Sequence, residues 1–356
     1  MDKMFKRTLL ASAVAMVAAA GSANAAIELN GKAVQVYGQA AGFMWFQAPD
    51  KGDDKAMVEI ESRVGFRGEV EFENFGPTFL WQIEGSNASN TAQGGQFGGR
   101  DTYLGLGFDG IGSFKYGRQL VAAYNYVDWP HSNPGLGNVF DWNNDIGAGY
   151  QDRADHVFRF DSETFGGFNY QLTLSGMNDT TDALVASIGA SFQAGPVNLH
   201  GGYYTQGGYD KKVAATDPSV GIVNGAPAVV PGKPATTEKA GDINYGIIGA
   251  TLGLDSFTLT GAVKLMNNNV TDGEQMAYSA TAQYVNNSWV YKLGYAGTND
   301  AEVKGVKQAN TADTAITARL GYLLPSTYLF MDLRNYKMND ADGFDHNLLI
   351  GAEYYF

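Results

Sequence analysis

His346-Asn347-Leu348-Leu349-Ile350-Gly351-Ala352-Glu353-Tyr354-Tyr355-Phe356 closes the sequence, and it alternates. Successive side chains of a β-strand point to opposite faces. Leu348, Ile350, Ala352, Tyr354 and Phe356 therefore share one face, and Asn347, Glu353 and Tyr355 share the other. In a soluble domain such a terminal strand leaves a bare edge beside an apolar face. In a barrel closed inside a membrane it pairs with the first strand, and the apolar face meets lipid.

The same period repeats upstream, with strands predicted over residues 32–47, 57–75, 78–85, 100–108, 113–120, 154–165, 168–177, 183–193, 197–206, 242–254, 257–267, 275–285, 289–298, 314–324, 327–338 and 346–356. The second is the clearest: Val58, Ile60, Val64, Phe66, Val70 and Phe72 alternate with Glu59, Glu61, Arg63, Arg67, Glu69 and Glu71. The connections alternate short and long, so one rim carries tight turns and the other carries loops. The count of 16 is even, which puts both ends on the short-turn rim. About ten residues at about 3.3 Å each, tilted by about 40°, rise about 25 Å, the height of an outer-membrane apolar band. The expected fold is all-β: a 16-stranded antiparallel transmembrane β-barrel, too wide for side chains to fill. Such a barrel leaves an aqueous channel, and the expected activity is permeation.

Residues 1–25 have the form of a signal peptide. Lys3, Lys6 and Arg7 precede an uncharged apolar stretch over 8–20, and Ala23-Asn24-Ala25 fits a small-x-small cleavage site before Ala26. That stretch is too short to cross about 30 Å of hydrocarbon. The barrel is assigned to 26–356. Losing Asp2, Lys3, Lys6 and Arg7 would take the 24 basic and 37 acidic residues to 21 and 36, a net charge of −15. Nucleic-acid binding needs a basic face, which this balance opposes. It suits contact with polyanionic lipid bridged by divalent cations, or some cation preference. With no cysteine there is neither thiolate chemistry nor a disulfide framework. At 44% apolar and 13% aromatic residues, with 46 glycines, the composition is that of a membrane barrel in which every second residue faces water.

The long segment 122–153 interrupts the series after the fifth strand. It carries Trp129, Phe140, Trp142 and Ile146, which a loop extended into solvent has no use for; folded into the barrel, those side chains pack on the inner wall. Residues 207–241, containing Pro, Ala and Lys, read as a long exposed loop.

Several stretches carry a family resemblance. Gly112-Ser113-Phe114-Lys115-Tyr116-Gly117-Arg118-Gln119 resembles the fifth-strand motif of Gram-negative general porins. Ser62-Arg63-Val64-Gly65-Phe66-Arg67-Gly68-Glu69 resembles their second strand, and Phe158-Arg159-Phe160-Asp161-Ser162-Glu163-Thr164-Phe165-Gly166-Gly167-Phe168 the strand and turn after their constriction loop. The terminal Phe356 also fits, as the residue of barrel assembly. The resemblance spans 26–356. It implies passive diffusion of small polar solutes and ions across a Gram-negative outer membrane, as a homotrimer among lipid and lipopolysaccharide, delivered by the barrel-assembly machinery, with no cofactor. It further implies a basic wall facing loop acids. Arg63, Arg100 and Arg159 match the wall, and alternation independently turns Arg63 and Arg159 inward. Where family loops often carry Pro-Glu-Phe-Gly-Gly, this one has Pro134-Gly135-Leu136-Gly137, so the acids left are Asp128, Asp141 and Asp145, with Asp141 and Asp145 favoured for the pore face. Asp128-Trp129 and Asp141-Trp142-Asn143-Asn144 also suit an oligosaccharide track of the chitoporin kind, with Trp129 and Trp142 stacking on sugar rings. The ordinary role for those tryptophans is to pin the loop to the wall or to sit in an interfacial belt.

A barrel enzyme needs a base held beside a nucleophile, and His131, His156, His200 and His346 show no such spacing to Ser or Asp. No His/Cys metal spacing occurs, and the acids at 179–182 and 340–345 read as solvated loop charge. An adhesive or structural role through the 207–241 loop stays open.

Overall fold

A computed structural model describes residues 26–89, 95–126, 131–178, 180–217, 219–223, 226–230 and 232–356. The expected signal peptide, Asp128 and Trp129 lie outside the described residues. Sixteen antiparallel strands form one closed sheet: β1 (Val34–Ala48), β2 (Lys55–Ile60 and Arg63–Phe72), β3 (Phe75–Glu84), β4 (Thr102–Phe108), β5 (Gly112–Leu120), β6 (Arg153–Ser162), β7 (Phe168–Ser175), β8 (Val185–Ala194), β9 (Val197–Gln206), β10 (Ile243–Leu254), β11 (Phe257–Asn268), β12 (Gly273–Asn286), β13 (Trp289–Thr298), β14 (Thr314–Leu324), β15 (Thr327–Lys337) and β16 (Asp345–Tyr355). Each pairs with its sequence neighbour, and β16 pairs with β1 from Gln39↔Tyr355 to Ala48↔His346. The seam is extended by Gly38 and Phe356, whose amides donate to each other's carbonyls at 2.7 and 3.1 Å. A closed ladder leaves no edge amide facing hydrocarbon, which is why a β-structure can span a membrane at all. No helix among the described residues is long and apolar enough to do so.

The short rim is made of turns such as Asp255-Ser256 and Pro325-Ser326. At Gly167, where β6 turns into β7, φ is +88° and a Cβ would meet the Gln193 carbonyl at 2.6 Å, so only glycine fits without strain. The break in β2 is bridged by Ser62, whose Oγ accepts from the Ala41 amide at 3.0 Å, and the register resumes beyond it.

Alternation sorts the two faces as expected. Ile248, Leu293, Met331 and Ile350 are among the exposed apolar residues that form the lipid band. Inward, the core occupies one side of the lumen. Ile243, Tyr245 and Ile247 of β10, Met266 of β11 and the alanines 277, 296 and 315 of β12–β14 pack against Val121, Leu136, Val139, Phe140 and Ile146 of the long loop.

Two expectations are corrected. Arg100 precedes β4 instead of opening it, in a bend whose amide donates to the Glu84 carbonyl. Residues 207–241 are not a plain loop: Tyr209–Val213 pairs with Thr236–Ala240, and Ser219–Val223 with Ala226–Val230. Tyr209-Asp210-Lys211-Lys212-Val213 lacks the apolar period by which strands are recognised, because neither of its faces meets lipid or core.

Candidate pore constriction

The loop between β5 and β6 lies inside the barrel, held by polar side chains of the inner wall. Its first helical turn, α1 (Ala122–Asn125), starts with amides that have no intrahelical acceptor. Ala122 and Ala123 donate theirs to Thr173 Oγ1 at 3.0 Å and Ser187 Oγ at 2.8 Å. Gly189 and Gly202 make the room, since a Cβ there would meet Tyr126 at 2.5 Å and Ala123 at 3.0 Å. Further on, Ser279 Oγ donates to the His131 carbonyl, Tyr336 to that of Gly135 at 2.9 Å, Lys264 Nζ to that of Asp141 at 2.8 Å and Asn268 to that of Ile146 at 2.8 Å. The second turn, α2 (Gly137–Phe140), buries Val139 and Phe140, and Leu136 lies over Gly294 of β13.

His131 and His200 sit beneath this segment with their Nε2 atoms 2.5 Å apart. Gly249 leaves space for both rings. Burial, with His200 and Lys292 close by, pushes His131 from 6.5 down to about 3, so it is neutral across the physiological range.

The opposite wall is charged, and most of its charges are paired within the wall. Arg159 Nε and Lys115 Nζ both reach Asp161 at 2.8 Å. Arg100 pairs with Glu84, which also accepts from the Tyr37 hydroxyl at 2.7 Å. Arg153 meets Asp101 at 2.7 Å. Arg63 lies opposite Gln39 on the inner face and forms no ion pair among the described residues. Past the loop's edge, Arg319 grips the fully buried Asp332 with two bonds of 2.6 and 2.7 Å, and Arg334 shares the same carboxylate.

The structure thus gathers Arg63, Arg100 and Arg159 on the wall formed by β2, β6 and the segment before β4. Asp141 departs from the pore-face expectation: it is 4% exposed, and its carboxylate folds back toward Gly137. The helical turn of α2 carries it to the wall side of the loop, beside Lys264. Asp145 is half-buried, accepting from Asn339 and Gln275. Trp142 is 57% exposed and so does not pin the loop. Sequence reasoning missed Glu84, Asp161, Lys264 and the Arg319–Asp332–Arg334 group. Some were within reach. Arg159 and Asp161 are two apart on one strand face, and Arg319 and Asp332 fall opposite each other when residues are paired outward from the Pro325-Ser326 turn.

A closed barrel of this size with a loop seated in its lumen is the architecture of an outer-membrane diffusion channel. The Gram-negative porin family model matches residues 11–341, and the chain belongs to that family. Among its relatives, the chitoporin of Vibrio furnissii is 36% identical over 330 residues, covering 86% of this chain and 87% of that one. Outer membrane protein S2 of Salmonella typhi is 27% identical, with 99% and 89% covered. Of the solved structures, the anion-selective porin from Comamonas acidovorans superposes with a TM-score of 0.68 at 18% identity, covering 91% of this chain and 99% of that one. That degree of identity carries the fold alone.

Proposed function

We propose that this outer-membrane porin passes small hydrophilic solutes and ions through a gap bounded by the infolded loop on one side and the wall bearing Arg63, Arg100 and Arg159 on the other, with Asp145 and Asp128 as the loop's acids. The observation that carries this reading is the seating of residues 131–150 on the inner wall by Ser279, Tyr336, Lys264 and Asn268. The working form is a homotrimer of chains starting at Ala26, set among lipid and lipopolysaccharide, with Phe356 serving barrel assembly. Of the small outward residues on β1 (Gly38, Ala40 and Gly42), Ala40 is exposed and supports close approach of a neighbour, whereas Phe356 and Ile60 of the same chain cover Gly38 and Gly42. The role is transport and not catalysis; in support, His131 and His200 face each other, and His346 faces Asn335. In planar bilayers the refolded protein should conduct in steps that close in threes.

A second reading, selectivity for oligosaccharides, is favoured by Trp142. A ring left 57% exposed on a loop inside a lumen offers its face to a solute. The identity with a chitoporin supports it, as does the pairing of wall charges with one another, which suits uncharged cargo. Micromolar chitooligosaccharide should interrupt the current, and Trp142→Ala should weaken that block about tenfold. Absence of block by any sugar leaves a general diffusion pore.

A further inference from the structure

The inner wall of a water-filled channel is expected to be polar, yet where β15, β16 and β1 run side by side it is aromatic. Alternation turns Phe43 and Trp45 inward, while Met44 and Phe46 face lipid. The Phe43 and Trp45 ring centroids are 6.5 Å apart, Phe43 and Phe330 are also 6.5 Å apart, and Tyr328 continues the row 6.3 Å beyond Phe330. Tyr328, Phe330 and Leu349 are buried and form the base, and Phe43 and Trp45 keep part of their surface open to the lumen.

The platform is fixed from behind. Trp45 Nε1 donates to Asn347 Oδ1 at 2.8 Å, and Asn347 Nδ2 donates to the Arg334 carbonyl at 3.1 Å. The Arg319 guanidinium lies 4.8 Å from the Phe330 ring. Gly351 lies between the rings: a Cβ there would come within 2.6 Å of Phe43 Cβ and 2.7 Å of the Phe330 ring. Beside this apolar face stand two polar groups with no hydrogen bond or ion pair among the described residues. Glu59 is the cross-strand partner of Phe43, and Gln47 is the next inward residue after Trp45. The platform also adjoins the constriction, because Arg334, next to Asn347 in the ladder, packs against Gly135 of the loop.

An aromatic face edged by a free carboxylate and a free amide matches a ligand with an apolar flat side and a hydroxylated rim. We propose that Phe43 and Trp45, with Glu59 and Gln47, form a second carbohydrate subsite, on which a neutral oligosaccharide stacks while its leading residue meets Trp142. Glu59 disfavours anionic sugars there. The proposal rests on the oligosaccharide reading and adds a site to it.

The test is single-channel recording with chitotriose and chitohexaose on the wild type, Trp142→Ala and Trp45→Ala, using the compact electrophoretic form of the unheated protein as the sign of an intact barrel and each variant's own sugar-free current as its baseline. Two subsites mean that hexaose blocks the wild type more strongly than triose. Trp45→Ala should weaken hexaose block about tenfold and remove most of the length dependence, leaving triose block nearly unchanged. Should Trp45→Ala yield no channels, Phe43→Leu and Trp45→Met, which better keep the volume, carry the same expectation. Hexaose block that falls with Trp142→Ala but is indifferent to Trp45 and Phe43 would overturn the second subsite and spare the sugar channel. A wild type blocked by neither sugar would remove the oligosaccharide reading itself.

Discussion

Asp332 shows what single side chains contribute to this wall. It is fully buried and satisfies two guanidiniums, those of Arg319 and Arg334. Removing one partner of a buried charge group leaves the others uncompensated, which typically costs about 3–5 kcal/mol. Asp332→Ala should therefore lower the temperature at which the refolded barrel loses its compact electrophoretic form, and a surface carboxylate such as Asp210 changed to Ala should not. Residues of this kind were legible wherever alternation alone decides their direction, as for the inward Arg63 and Arg159. Asp141 was not, because a side chain on a helical turn inside a loop follows neither the strand period nor a long helix's periodic face. Arg100 was not, because the bend before β4 is set by the Glu84 carbonyl and not by a sequence period.

At the scale of elements, the barrel strands announced themselves, while the long loop and the strands within 207–241 did not. Each strand is bounded by turn residues and meets two different solvents, so its period is written in its composition. The loop's path depends on tertiary partners scattered over β7 to β15, among them Thr173, Ser187, Ser279 and Tyr336, which no local pattern points to. Its inward direction was still legible, from side chains such as Phe140 and Ile146 that need cover. One of its contacts is sensitive to acid. His131 is depressed from 6.5 to about 3 by burial, and then by His200 and Lys292. The unfolded or displaced loop binds a proton more readily, so the stabilisation from the neutral ring is complete above about pH 6.5 and is lost as the pH falls towards 3. At pH 5 the loss is about 2 kcal/mol. Current fluctuations from the loop should therefore grow between pH 6.5 and 4, and His131→Gln should reduce that growth.

For the molecule as a whole, the fold follows from where apolar surface can go. The outer face is apolar all round; the larger internal core lies between the loop and one half of the wall, and a smaller aromatic one lies along β15, β16 and β1. The rest of the wall is left to water and to charge, most of it paired. Because Asp161, Glu84 and Asp101 sit beside the basic groups, the field across the pore is smaller than the number of arginines suggests. The reversal potential in a tenfold KCl gradient should accordingly give a cation-to-anion permeability ratio within about threefold of one, and it should move towards anions in Asp161→Asn. A strongly selective wild type would show that loop acids, not wall pairs, set the field.

The account stands on a lumen filled with water, and conductance reads that directly. Refolded protein added to a planar bilayer should produce discrete, ohmic steps whose size rises in proportion to the bulk conductivity of the salt. Bilayers that stay sealed while the protein is folded and inserted, or steps that do not scale with salt, would contradict it.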